Sequence, residues 1–109
     1  MNRVTLSGRL RYKPRITYTQ TGVCRASIFL IVPRCRGETT DFITATAWDT
    51  VAEDIRDFAD LGDFVEIGGV IRTRAIDAPG GKHYAQDIVI NSINFPEREK
   101  ERYVNVSGD

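Results

Sequence analysis

The chain has 109 residues, 41% of them apolar and 28% charged, with 15 basic and 15 acidic side chains and therefore no net charge. That length holds one domain with one core; no apolar run approaches the ~20 residues of a membrane helix, and the start shows no charged-then-apolar leader, which points to the cytoplasm. Cys24 and Cys35 lack metal-ligand spacing and the single His83 is remote from them, so free thiols are expected, with no disulfide, metal or cofactor.

Residues 2–12 alternate, with Val4, Leu6 and Leu10 on one parity and Arg3, Thr5, Ser7, Arg9 and Arg11 on the other. This predicts a strand with a buried face and a basic, polar one. Residues 13–22 read as a polar connection with room for a short strand at 16–18. A second strand is predicted over 23–32, apolar on both parities at Ile28, Phe29, Leu30 and Ile31, and so central or covered on both faces. Pro33 and Gly37 mark a loop over 33–39. The third strand, 40–48, alternates again: Ile43, Ala45 and Ala47 share one face, Phe42, Thr44, Thr46 and Trp48 the other. A helix follows. Thr50 and Glu53 have capping-box spacing, Val51, Ile55 and Phe58 form an apolar stripe, and Gly62 is placed to end the helix in a left-handed conformation. Residues 64–76 and 82–95 predict two more strands, joined by a hairpin turn at Asp77, Ala78, Pro79, Gly80 and Gly81. From Pro96 the charges alternate without a long apolar face, as in a helical extension or a disordered tail. The expected domains are therefore 1–95 and a charged tail, 96–109.

Five strands with one α-helix between strands 3 and 4 is the order of an all-β, oligonucleotide-binding (OB) fold barrel. A doubly wound fold needs more helices, and an SH3-like barrel lacks this one. No Ser/His/acid or Cys/His grouping is indicated by spacing, and Gly68-Gly69 and Gly80-Gly81 lack a phosphate loop's lysine and hydroxyl residue, so binding rather than catalysis is expected. Charge is unevenly placed: residues 1–36 carry eight basic side chains and no acidic one, while residues 37–71 carry nine acidic ones against Arg56 alone. A neutral chain can thus present a basic face, or its halves can neutralise each other. Phe42 and Trp48 stand on the non-core parity of the third strand. Exposed rings there offer stacking surfaces to bases, or pack under a loop or a partner. Arg3, Arg9 and Arg11 share the outward parity of the first strand, and Arg72 and Arg74 one parity of the fourth, where each can meet phosphate.

The opening Asn2-Arg3-Val4-Thr5-Leu6-Ser7-Gly8-Arg9-Leu10 resembles the first strand of bacterial single-stranded-DNA-binding (SSB) proteins, whose pattern is N-[KR]-V-x-L-x-G-x-L. Further matches follow in order: Ala26-Ser27-Ile28, Thr40-Asp41-Phe42 through Trp48, Val51-Ala52-Glu53, Leu61-Gly62-Asp63, Val65 through Gly69, Ile71-Arg72-Thr73-Arg74, and Tyr84. Together they cover about residues 1–95. The resemblance implies sequence-independent binding of single-stranded DNA in replication, recombination or repair. It places Phe42 and Trp48 at stacking positions, Arg3 near DNA in the first strand, and Arg72 and Arg74 on the family's R-T-R motif. It also implies a homo-oligomer, most often a tetramer, with a dimer as the alternative.

The departures are specific. Ile76 stands where many members have an aromatic, and so does the loop near Arg36; Arg34 and Arg36 are expected to substitute in part, because a guanidinium stacks on bases as well as pairing with phosphate. Weaker binding or a smaller footprint is expected. The sequence ends at Val106-Ser107-Gly108-Asp109 without the family's acidic tip: either partners recruited through such a tip are not expected, or the sequence is cut from a longer chain, and only a complete chain would resemble a short, tailless accessory, phage or mobile-element member. Two rival readings remain at this point: a primosomal-type protein adaptor using Phe42 and Trp48 as protein contacts, and an RNA-binding OB module.

Overall fold

A computed structural model describes residues 1–36 and 39–98. Its elements are β1 (Val4–Leu10), β2 (Arg15–Tyr18), β3 (Cys24–Pro33), β4 (Thr40–Trp48), α1 (Asp49–Phe58), β5 (Phe64–Ala78) and β6 (Gly81–Asn94). Among the described residues there are six strands rather than the expected five. The stretch read as a polar connection supplies β2, whose backbone pairs antiparallel with β3 from Arg15↔Ser27 to Tyr18↔Cys24. The helix thus lies between β4 and β5, at the expected place in the sequence but after the fourth strand.

The sheet order is β1-β5-β6-β4-β3-β2, with a further pairing of β1 to β3. Pairing therefore runs in a circuit from β1 through β5, β6, β4 and β3 and back to β1. One edge of β3 is shared: its first residues pair with β2, and Leu30 and Ile31 pair with Leu10 and Arg9 of β1. Gly8 stands where β1 and β3 converge, and a Cβ there would collide with the Ile31 carbonyl oxygen. β4 and β6 meet in a short parallel pairing at Ala45↔Ile88 and Thr46↔Val89. A bulge at Gly68/Gly69 breaks the β5–β6 register, and Gly69 again has no room for a side chain, here against the Val89 carbonyl.

The core lies inside the circuit. Leu10, Ile28, Leu30, Val65 and Ile67 are buried there, with the small Ala26, Ala45 and Ala47 on β3 and β4. Those alanines and Ala52 let α1 pack close, and α1 covers β3, β4 and β6 with Ala52 and Ile55 fully buried. The expected stripe is thereby corrected. Val51 is half-buried, whereas Phe58 is exposed because the helix ends there. The expected capping box does not form either. The helix starts one residue before Thr50, directly off β4, with extended Trp48 as the N-cap and no side-chain cap bond. Asp49, in the left-handed region at φ 59°, brings its charge to the first turn, where the helix dipole favours an anion. Gly62 is left-handed as expected, but four residues beyond the helix, in the turn into β5.

β5 and β6 run past the core as a long hairpin closed by Pro79 and Gly80 (φ 94°). Cross-strand register gives the protruding arms two faces. Arg72↔Asp87, Arg74↔Ala85 and Ile76↔His83 share one, and Thr73↔Gln86 and Ala75↔Tyr84 the other. After β6, residues 96–98 form a helical turn tied to the body by Arg98, which bonds the Phe58 carbonyl and Asp63 (2.8 Å). The rest of the expected tail, 99–109, lies outside the described residues. Cys24 is buried and Cys35 exposed, both as free thiols. No helix among the described residues is long and apolar enough to cross a membrane.

Candidate nucleic-acid interface

β4 alternates strictly where it crosses the core, and this aims its rings outward. With Ala45 and Ala47 buried, the opposite parity leaves Phe42 61% and Trp48 43% exposed. The antiparallel register to β3 sets Ile31 beside Phe42, Phe29 beside Thr44, Ser27 beside Thr46 and Arg25 beside Trp48 on this outer surface. Thr44 and Thr46 keep the ground between the two aromatics low. The Arg25 guanidinium lies over the Trp48 ring, 5.6 Å from its centroid. It sets a positive charge beside an exposed ring on which a base can stack.

Parity in the sequence did not reveal two further rings. Phe29 stacks near Phe42 with centroids 5.8 Å apart and planes at 26°, and Tyr12 meets Phe29 at 5.5 Å and 58°. Arg11 lies over Tyr12 at 5.4 Å. Phe29 was hidden because β3 is apolar on both parities; the signal that finds it is the register with β4.

The expected phosphate-binding arginines divide into groups. Arg72 and Arg74 share the outer face with β4, since Val89 beside Thr46 pairs with Val70 of the same parity. Arg74 is held by Asp87, with Nε donating at 2.7 Å and Nη2 at 3.4 Å. At the start of the β3–β4 loop, Arg34 donates from Nε (3.1 Å) and Nη2 (2.9 Å) to one oxygen of Asp41. These hydrogen bonds, and then the carboxylate charges, raise the pKa of both guanidinium groups. Such exposed pairs contribute only ~0–1 kcal/mol, so a phosphate can displace the carboxylate. Arg36 is exposed in the same loop. Ile76 is exposed on the Arg72 and Arg74 face, while Tyr84, in the protruding part of the hairpin, is 69% exposed on the opposite face.

Two of the expected residues lie farther from the β4 rings. Arg9 is outward but engaged: it donates to both carboxylate oxygens of Glu97 (3.2 and 3.1 Å) and to the Gly62 carbonyl (3.1 Å). Those hydrogen bonds, then the Arg9 charge, hold the Glu97 carboxyl below the usual carboxylate range. Arg3 lines a shallow concavity of about 560 Å³ on the outside of β1, β5 and β6, with Thr5, Glu66, Ser92 and Asn94, apart from the rings of β4. The described residues contain no cluster of His, Cys, Asp or Glu arranged for a metal.

Residues 1–96 match the model of the Single-strand binding protein family. The chain belongs to that family. It is 36% identical over 106 residues to Single-stranded DNA-binding protein 3 of Listeria innocua, covering 92% of this chain and 66% of that protein. It is 32% identical to Single-stranded DNA-binding protein 2 of Streptococcus agalactiae serotype V, covering 99% of this chain and 88% of the relative. With the Single-stranded DNA-binding protein of Bacillus cereus it shares 34% identity over 89% of this chain and 61% of the relative. Within the single-strand binding family, then, this chain spans between about three fifths and nine tenths of these relatives.

Proposed function

We propose that the chain binds single-stranded DNA without sequence preference, in replication, recombination or repair, and has no enzymatic activity. The carrying observation is the pair of exposed rings, Phe42 and Trp48, on the outer face of β4, in a member of this family and flanked by arginines. Bases stack on such rings whatever their identity, and a cationic rim holds the phosphates between them. Trp48 and Phe42 are the stacking residues. Arg34, Arg36, Arg72 and Arg74 supply phosphate contacts at the two sides of the face, with Arg25 backing Trp48. Arg3 and Arg9 are more remote from the β4 rings: Arg3 lines the concavity that Val70 of the hairpin face also lines, and Arg9 must release Glu97 before it can meet DNA.

The closed circuit of pairings supports reading residues 1–95 as a five-stranded OB barrel, to which β2 is an appendage and 96–109 a charged extension. The unit of function is a homo-oligomer, a tetramer with a dimer as the alternative. One such module covers only ~4–16 nucleotides, and several modules on one strand multiply affinity.

The single tryptophan provides the test. Oligo-dT is titrated at low and high salt, with a Trp48→Phe control and a duplex competitor. Quenching by single strands, a weak response to duplex and a salt-sensitive affinity support the reading. Neither quenching nor binding by anisotropy overturns it and favours the protein adaptor; tighter binding to an equal-length RNA replaces DNA by RNA.

A further inference from the structure

The rings of the outer surface continue past exposed Phe42 to half-buried Phe29 and exposed Tyr12. Phe29 lies beside it at 5.8 Å with the planes at 26°, and Tyr12 follows at 5.5 Å, so three aromatics form a row from β4 across β3 to the chain just beyond β1. The row is fixed in place: the Arg11 backbone N–H donates to the Phe29 carbonyl (2.9 Å), which pins Tyr12 beside Phe29. It is also open, with Tyr12 57% exposed at its far end. Sequence resemblance assigns nothing to either residue. They are different positions from the two, Ile76 and the loop near Arg36, where an expected aromatic is missing.

A row of rings open to solvent at Phe42 and Tyr12 offers a surface to an occupant, and the surrounding charge selects one. Arg11 lies over Tyr12. Arg34 stands at the other end of β3, and Asp41, already bonded to it, is the carboxylate beside Phe42 in β4. Rings bordered by guanidinium groups suit a chain that alternates flat bases with phosphates. We propose that Tyr12 and Phe29 extend the stacking surface for single-stranded DNA, carrying the strand from Phe42 across β3 toward Arg11. The extension rests on the DNA-binding reading above. It relocates stacking from the hairpin tip to the β1–β3 corner, rather than leaving the face short of rings.

The test uses the full chain with Tyr12→Ala and, as a second variant that keeps apolar bulk, Phe29→Leu. Circular dichroism confirms folding, and anisotropy reads affinity for oligo-dT of increasing length. Removing one ring is expected to weaken binding by about 5-fold to 100-fold. The shortest oligomer that reaches full affinity becomes shorter, and quenching of Trp48 at saturation is unchanged. Tyr12→Phe binds as the unaltered chain does, because the ring and not the hydroxyl stacks. Unchanged affinity and length dependence in both ring-removing variants overturns the extension while leaving Trp48 and Phe42 in place. A change of mass by light scattering with affinity intact also overturns it and makes the row a contact between copies. Failure of the unaltered chain to bind overturns both readings together.

Discussion

The outer surface of β3–β4 and the protruding β5–β6 hairpin form two parts of one face but are built from opposite materials. On β3–β4 the large side chains that reach solvent are the rings of Phe42 and Trp48, with threonines between them, and the nearby Arg25 and Arg11 lie over rings. On the hairpin the same face carries Arg72 and Arg74 beside Ile76, with Arg74 clamped by Asp87, and the aromatic Tyr84 faces away. Stacking depends little on ionic strength, whereas phosphate contacts release counterions and weaken as salt rises. The two regions should therefore divide affinity into a salt-resistant and a salt-sensitive share.

The sharpest break in that division is Trp48→Ala or Phe42→Ala. Either is expected to weaken oligo-dT binding by about 5-fold to 100-fold at every salt concentration, leaving the slope of log affinity against log salt unchanged. A slope that changes with the ring would merge the two shares. Arg72→Ala comes next: a several-fold loss at low salt that fades as salt is added, with the slope reduced by about 0.7 for one phosphate contact to a single strand. Asp87→Asn works in the opposite direction. It frees Arg74 and should tighten binding at low salt by less than about 5-fold, the scale of an exposed ion pair; weaker binding would mean that Asp87 orients Arg74 rather than competing for it.

The smallest effect lies outside both regions. Arg9 depresses the Glu97 pKa, so the contact stabilises the fold above the unfolded carboxyl value of about 4.3 and loses that contribution as pH falls through the lower folded value. Glu97→Gln should lower the melting temperature slightly at pH 7, and the difference should shrink below about pH 4. DNA affinity should move little.

Legibility followed the same boundary between regular alternation and long-range contact. β4 could be read because its core positions alternate where Ala45 and Ala47 are buried, and one parity then fixes where Phe42 and Trp48 point. The same logic gave Arg72 and Arg74 a common face. It failed on β3, where Phe29 sits between Ile28 and Leu30 and only the partner strand distinguishes inside from outside. β2 was read as a connection with room for a short strand at 16–18, because four residues without a clear apolar period become a strand through pairing with β3. The engagement of Arg9 was out of reach: Glu97 is 88 residues away, and nothing local marks the pair. The helix was found but its ends were misplaced, since β4 runs into it without a capping side chain and no sequence signal marks that join.

The two thiols make this molecule unusually convenient to observe. Cys24 is 2% exposed within the core, while Cys35 sits in the open between Arg34 and Arg36, at the mouth of the β3–β4 loop. A maleimide dye should therefore attach at one position of the unaltered chain. Placed there, it would watch the loop's arginines from one side while Trp48, at the far end of β4, watches the rings from the other. One titration read in two colours would then show whether a strand engages both ends of the face together or one before the other.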